Sequence, residues 1–290
     1  MTQPPGPVPY QQLPGCYRHP DRATGLSCVR CGRPACPECL RSAPVGNQCL
    51  DCIRADPADV RTPQRPGPTR ASAAPITMGL IAINVAIFAI TAVQSRSLFD
   101  NASGSTLFDR LVLFGPLVGY GDLERLIGSG FLHYGPLHLL ANMLALFIFG
   151  RDCEVFFGRA RYLAIYFLSL LGGSASVLVM QPMGATAGAS GAVFGLFGAT
   201  LLVVLRLRRN PSSLIMLLVL NFGLSVAVPG ISLWGHLGGL LAGAAVAAGF
   251  LYLRKQAYGW AVVGGIAALI VTIIAVRAIQ LREVLAPILQ

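Results

Sequence analysis

From residue 76 onward the chain is a succession of long apolar runs from which every Asp, Glu, Lys and Arg is absent. They cover 76–93, 131–150, 162–180, 188–205, 213–228, 231–253 and 257–276. A helix needs about 20 residues to cross the hydrocarbon core of a bilayer, with a range of about 17–25. In lipid the backbone must satisfy its own polar groups, so runs of this length can only be helices. Seven spans follow, although the pattern also accommodates six or eight. The fifth run is short and must be extended, bent or sheltered by its neighbours. Charged residues make up 12% of the chain, against roughly 25% in an average soluble domain. The expected class is all-α: a polytopic membrane helix bundle with a small N-terminal domain.

Charge between the runs sets the expected orientation. Arg151, Arg159 and Arg161 follow the second run, Arg206, Arg208 and Arg209 the fourth, and Arg254 and Lys255 the sixth. The loops after the third and fifth runs carry no charge. The positive-inside rule makes the basic loops cytoplasmic. Seven spans then leave the N-terminus in the cytoplasm and the C-terminus outside. The nine arginines of residues 1–75 agree with this. No long apolar run precedes residue 76, so no signal peptide is expected. The net charge of +10 is thus mainly topological, with some affinity for anionic lipid. Dispersed basic residues with few aromatic neighbours exclude nucleic acid as a partner. With no ionisable carboxylate or basic side chain in any run, and no inverted repeat, a transporter or channel is disfavoured. Residues 94–130 form a long external segment too apolar for a floppy linker. Leu107, Phe108, Leu111, Val112, Leu113 and Phe114 need burial, either in the interface or as a cap on the bundle.

Seven of the eight cysteines fall within residues 16–52. They form Cys16-x-x-His19, Cys28-x-x-Cys31, Cys36-x-x-Cys39 and Cys49-x-x-Cys52. This spacing turns two ligands onto one metal, and four pairs suffice for two tetrahedral zinc sites. Disulfides are disfavoured on the reducing side of the membrane. Because so small a head has little core, two structural zinc ions would supply much of its folding free energy. The pair order resembles the B-box zinc finger. That resemblance implies a cross-brace, with Cys16, His19, Cys36 and Cys39 on one zinc and Cys28, Cys31, Cys49 and Cys52 on the other. The alternative joins neighbouring pairs. A docking or regulatory role with a protein partner is expected, as is dispensability of the head for any membrane chemistry. Residues 1–15 read as a disordered tail and 53–75 as a Pro-rich tether.

Polar residues inside the runs carry the chemistry. Ser190 opens the fourth run, where its hydroxyl and the first free backbone amides would share one space. His236 lies near the start of the sixth. His138 and Asn142, four residues apart in the second, share a helix face. Gly191, Gly195 and Gly198 and, in the sixth run, Gly235, Gly239 and Gly243 form small-residue stripes that allow close helix approach. Contact between those stripes would bring His236 to Ser190 and make a nucleophile–base pair. With no acidic residue in any run, a dyad rather than a triad is expected, and packing and other bonds must orient His236.

The motifs Gly188-Ala189-Ser190-Gly191, His133-x4-His138-x3-Asn142 and His236-Leu237-Gly238-Gly239 closely resemble those of the rhomboid family of intramembrane serine proteases. The resemblance covers residues 76–255, implying a six-helix core, with 256–290 an additional C-terminal helix and tail. It implies that Ser190 is the nucleophile and His236 the base. His138, Asn142 and the Ser190 amide would stabilise the oxyanion. Phe194 fits the position whose ring packs on the base. It implies membrane-protein substrates cleaved near the external face of a cell membrane, with no metal or other cofactor in catalysis. Two positions depart from the pattern: Glu124-Arg125 stands where Trp-Arg is frequent, and Gly235 where Ala is common. The alternative is an inactive rhomboid-fold adaptor that uses the zinc head to recruit partners. Cys153 suggests no role beyond packing.

Overall fold

A computed structural model of the chain describes residues 13–43, 45–55, 74–228 and 230–285. The chain forms two compact units, Met1–Thr69 and Arg70–Gln290. The tail expected over 1–15 and the tether expected over 53–75 lie for the most part outside the described residues.

In the first unit, strands β1 (Leu40–Ser42) and β2 (Asn47–Cys49) pair antiparallel, with Leu40 opposite Cys49. Helix α1 (Leu50–Ala55) follows directly. The core is small: Cys16, Cys28, Ala35, Cys36, Cys39, Leu40 and Cys49, with Tyr17 and Cys52 against it. Most of what is buried is cysteine. A unit that buries thiols instead of aliphatic side chains has little hydrophobic stabilisation of its own.

The second unit is a helix bundle, as the apolar runs require. Each run forms a helix: α2 (Pro75–Ser95), α6 (Gly135–Ala145) continuing into α7 (Arg151–Phe157), α8 (Arg159–Met180), α9 (Ser190–Arg206), α10 (Ser212–Ala227), α11 (Leu233–Tyr252) and α12 (Gln256–Leu285). By length and composition α2, α8, α11 and α12 can each cross a membrane. A fifth candidate is α6–α7 with the segment before it, bent by 94° at its start. Helices α9 and α10 have 17 and 16 residues, at or below the short end of the spanning range.

Helical structure outruns hydrophobicity at two places. The helix of the second run does not stop where the run does, at residue 150, but continues through a widened turn, Leu146–Gly150, to Phe157. Nothing in Arg151-Asp152-Cys153-Glu154 breaks a helix. The stop is Gly158, which has a φ of 78°. An acidic residue, Glu154, therefore sits on this continuous helix. The last helix likewise runs past residue 276 to Leu285.

The segment between the first two runs, residues 94–130, resolves toward a packed cap. Short helices α3 (Thr106–Leu111), α4 (Gly115–Gly119) and α5 (Arg125–Gly128) bury Phe108, Leu113, Val118 and Leu126. Leu107, Leu111, Val112 and Phe114 are half-buried. Arg125 is itself buried. It donates to the carbonyls of Asp109 at 2.6 Å and Val112 at 2.9 Å and pairs with Asp122 at 3.0 Å. A guanidinium with that many fixed donors staples two turns of the segment together.

The centre of the bundle is α8, α9 and α11, and glycines let them meet backbone to backbone. A Cβ at Gly239 would overlap the carbonyl of Gly191, and one at Gly243 would overlap Gly195. The two stripes thus face each other as expected. Gly235 also meets α8: its carbonyl lies 2.8 Å from where a Cβ at Gly173 would stand and 3.4 Å from where one at Gly191 would.

Candidate active site and metal centres

Ser190 is the first residue of α9. The strand of loop before it is pinned from the cap side. Leu113 and Thr186 exchange backbone hydrogen bonds of 3.0 and 2.9 Å, and the Gly188 N–H donates to the Ser129 carbonyl at 2.9 Å. Gly188 has a φ of 134°, and a Cβ there would stand 2.9 Å from Nε2 of His138. Only glycine leaves room for that imidazole beside the serine.

Ser190, His236, His138 and Asn142 all line one cavity of about 820 Å³, shared with Phe194 and Ser225. The structure thus brings together the four side chains singled out in the membrane runs. His236 is buried near the start of α11, whose N-cap Ser232 accepts from the Gly235 N–H at 3.1 Å. Phe194, one turn beyond Ser190, stacks on the His236 ring with centroids 4.0 Å apart and planes 9° apart. Phe222 of α10 packs edge-on against Phe194. Nδ1 of His236 lies 2.7 Å from Oγ of Ser225 on α10. Ser225 went unnoticed in the sequence because a serine in an apolar helix usually bonds its own backbone, and nothing local announces a cross-helix partner.

The tautomer of His138 follows from its neighbour. The Tyr134 N–H donates to Nδ1 at 3.2 Å. Nδ1 is therefore an acceptor, and in the neutral ring the hydrogen sits on Nε2, the atom beside Gly188. Asn142 Nδ2 donates one hydrogen to the His138 carbonyl at 3.0 Å and has a second to offer. His133 stands behind this pair, fully buried and edge-on to His138 with centroids 5.1 Å apart. Its ring nitrogens have no partner among the described residues. Asn101 fixes its backbone, accepting from the Gly135 N–H at 2.8 Å and donating to the His133 carbonyl at 2.9 Å. Cys153 is buried with its thiol 3.5 Å from the Leu196 carbonyl, a packing position.

In the head, the eight cysteine and histidine side chains gather as two clusters. Cys16, His19, Cys36 and Cys39 form one and Cys28, Cys31, Cys49 and Cys52 the other, with ligand atoms within 4.8 Å of one another in each. Alternate pairs combine; neighbouring pairs do not. Zn–S bonds of about 2.3 Å in a tetrahedron set sulfurs about 3.8 Å apart. Cys31 and Cys49 are 3.8 Å apart. The Arg33 guanidinium, 3.3 Å from Cys31, is the main cause that holds its thiol down to about 6. The hydrogen bond with Cys31 is in turn the main cause that pushes Cys52 up to about 12. Four thiols this close cannot all ionise without a metal to neutralise them.

Comparison with known proteins defines the class. The Rhomboid domain profile matches residues 120–255. The chain is 37% identical over 171 residues to "Rhomboid protease GluP" of Bacillus subtilis (strain 168), covering 56% of this chain and 34% of that protein. It is 38% identical over 152 residues to "RHOMBOID-like protein 5" of Arabidopsis thaliana, covering 50% of this chain and 48% of that one. It is 34% identical over 145 residues to "Putative rhomboid protease YdcA" of Bacillus subtilis (strain 168), covering 48% of this chain and 72% of that protein. The last of these matches covers most of that relative's own length, and this chain belongs to the rhomboid family. The first relatives extend well beyond the match, which spans about a third to a half of their length.

Proposed function

We propose that the chain is an intramembrane serine protease that hydrolyses peptide bonds in or near transmembrane segments of membrane proteins through Ser190 and His236. The observation that carries this reading is the shared cavity. It holds a serine at a helix N-terminus, a histidine stacked on Phe194 and two further donors, His138 and Asn142.

Ser190 Oγ attacks the scissile carbonyl carbon as its proton passes to Nε2 of His236. The negative charge that develops on the carbonyl oxygen meets Nε2–H of His138, the second N–H of Asn142 and the Ser190 backbone N–H at the start of α9. Preorganised donors of this kind act where charge forms and need no reorganisation. His236 then returns the proton to the leaving amine. Water entering the cavity hydrolyses the acyl-enzyme by the same steps in reverse. The chemistry needs no metal ion.

In this reading the basic ends of α7, α9 and α11 lie in the cytoplasm of a bacterial cell, and the cavity opens toward the external face of the plasma membrane. Positive-inside charge supports that orientation. The domains are a zinc-binding head over 16–52, a tether over 53–75, a protease core over 76–255 and an extra helix beyond. Each head cluster holds one structural zinc, and the head docks a protein partner.

The test is labelling by a fluorophosphonate in detergent or liposomes. Wild-type chain is expected to label at Ser190, and Ser190→Ala and His236→Ala are expected to lose the label. Folded wild-type protein that stays unlabelled beside a labelled known rhomboid would overturn the reading.

A further inference from the structure

A serine–histidine pair works only if the imidazole keeps its proton on Nδ1 and its lone pair on Nε2, facing the nucleophile. Stacking on Phe194 fixes the plane of the His236 ring. It does not fix which nitrogen bears the hydrogen, because both tautomers stack equally well. Where a triad exists, a buried carboxylate on Nδ1 settles the matter. Here the group bonded to Nδ1 is the hydroxyl of Ser225, at 2.7 Å.

A hydroxyl is ambivalent, since it can donate or accept. The second contact of Ser225 removes the ambivalence. Its oxygen lies 2.8 Å from the carbonyl of Asn221, one turn earlier on α10. A carbonyl only accepts, so the single hydrogen of Ser225 is committed there. What Ser225 offers His236 is a lone pair, and Nδ1 must supply the hydrogen. Nε2 is then the bare nitrogen.

We propose that Ser225 is a positioning residue that holds His236 in the Nδ1-protonated tautomer, an uncharged counterpart of the acidic member of a triad. This rests on the reading of Ser190 and His236 as a proteolytic pair and deepens it. Two groups divide the work: Phe194 sets the plane of the ring and Ser225 sets its hydrogen. The placement is specific to one side chain, because Ser225 is the buried residue of α10 while the rest of that helix is half-buried or exposed. Loss of its hydroxyl removes little packing, so Ser225→Ala is expected to fold.

The experiment uses the full chain, whose four histidines make nitrogen-15 spectra of labelled imidazoles tractable. Wild type, Ser225→Ala and Ser225→Thr are compared in micelles, with His236→Gln assigning the signals. Labelling by a fluorophosphonate is followed in parallel as the limiting rate and the half-saturating concentration. Wild type is expected to show Nδ1 protonated and Nε2 bare at His236. Ser225→Ala is expected to give the other tautomer or a mixture. Its limiting labelling rate is expected to fall about 10-fold, the worth of one hydrogen bond, with half-saturation unchanged. Ser225→Thr, which keeps the hydroxyl, should restore both. An unchanged tautomer in Ser225→Ala would overturn the proposal, and so would a changed tautomer with a wild-type labelling rate. If wild type labels no better than Ser190→Ala, the protease reading fails instead. The nitrogen shifts need no reagent and still decide whether Ser225 sets the tautomer.

Discussion

Glu154 caps a helix to which it does not belong: its carboxylate accepts the Thr77 N–H and hydroxyl, each at 2.8 Å. It also takes the Ile76 N–H at 3.1 Å. Pro75, the first residue of α2, has no N–H to satisfy, so Glu154 receives the next two orphan donors at a helix end that favours negative charge. The Thr77 hydroxyl lies 3.1 Å from that of Tyr162, which ties α8 into the same cluster. Glu154→Ala would leave the N–H groups of Ile76 and Thr77 and the Thr77 hydroxyl without their acceptor. The expected cost is about 1–3 kcal/mol. Thermal unfolding in detergent should show a lower Tm, with Glu154→Gln intermediate because an amide offers one oxygen in place of two. A wild-type Tm for Glu154→Ala would mean that water caps the helix as well.

Close glycine contact between α9 and α11 makes a second expectation. Gly239→Ala would drive a methyl group into the Gly191 backbone, which cannot step aside as a flexible side chain would. Overpacking costs about 1–3 kcal/mol, and here it also separates the helices that carry Ser190 and His236. Labelling of Ser190 should be lost together with a fall in Tm. Gly264→Ala, on α12 with nothing within 4 Å of its added methyl, should leave both unchanged. Equal behaviour of the two variants would show that α9 and α11 can part without consequence.

The backbone of this site was legible in the sequence because membrane helices write their identity locally. An uncharged run of sufficient length is a helix, and a glycine every fourth residue is a face. Ser190, His236, His138 and Asn142 stood out because polar side chains are rare in such runs. The bond of Ser225 to His236 and the cap that Glu154 places on α2 were not legible. Each joins residues on different helices, and neither Ser225 nor Glu154 announces on its own helix which group it will meet on another. The second helix outlasts its apolar run for a related reason. Hydrophobicity stops at residue 150, but helical hydrogen bonding needs no hydrophobicity and continues until Gly158. In the head, spacing alone left two pairings open, and only the fold separates them.

In the proposed mechanism the donors facing Ser190 differ from the nucleophile and base in how they should fail. On that reading His138→Ala and Asn142→Ala each remove one donor from the developing oxyanion while leaving Ser190 and His236 in place. A loss of about 10²–10³ in kcat is expected for each on a transmembrane-segment substrate, with KM little changed. His138→Ala also leaves the Tyr134 N–H without its acceptor, but Tyr134 is exposed and water can replace the ring. Its Tm should therefore stay near wild type. A variant with lowered Tm and proportionally lost activity would point to a structural role instead.

The two candidate metal clusters can be told apart by counting ions. Zinc binding deprotonates its thiols, so adding zinc to stripped head should release protons and order the unit together. Native mass spectrometry of the intact chain is expected to show two zinc ions, and a strong chelator should remove both. Pairs of substitutions then test the cross-brace. Cys16→Ser with Cys36→Ser damages one cluster only, so one ion should remain. Cys16→Ser with Cys28→Ser touches both clusters and should leave none. If neighbouring pairs held the metals, the outcomes would be reversed: the first combination would lose both ions and the second would keep one. Ser190 labelling should be unaffected by the chelator, since no step of the proposed mechanism uses a metal. Labelling that falls as zinc leaves would make the head a regulator of the site.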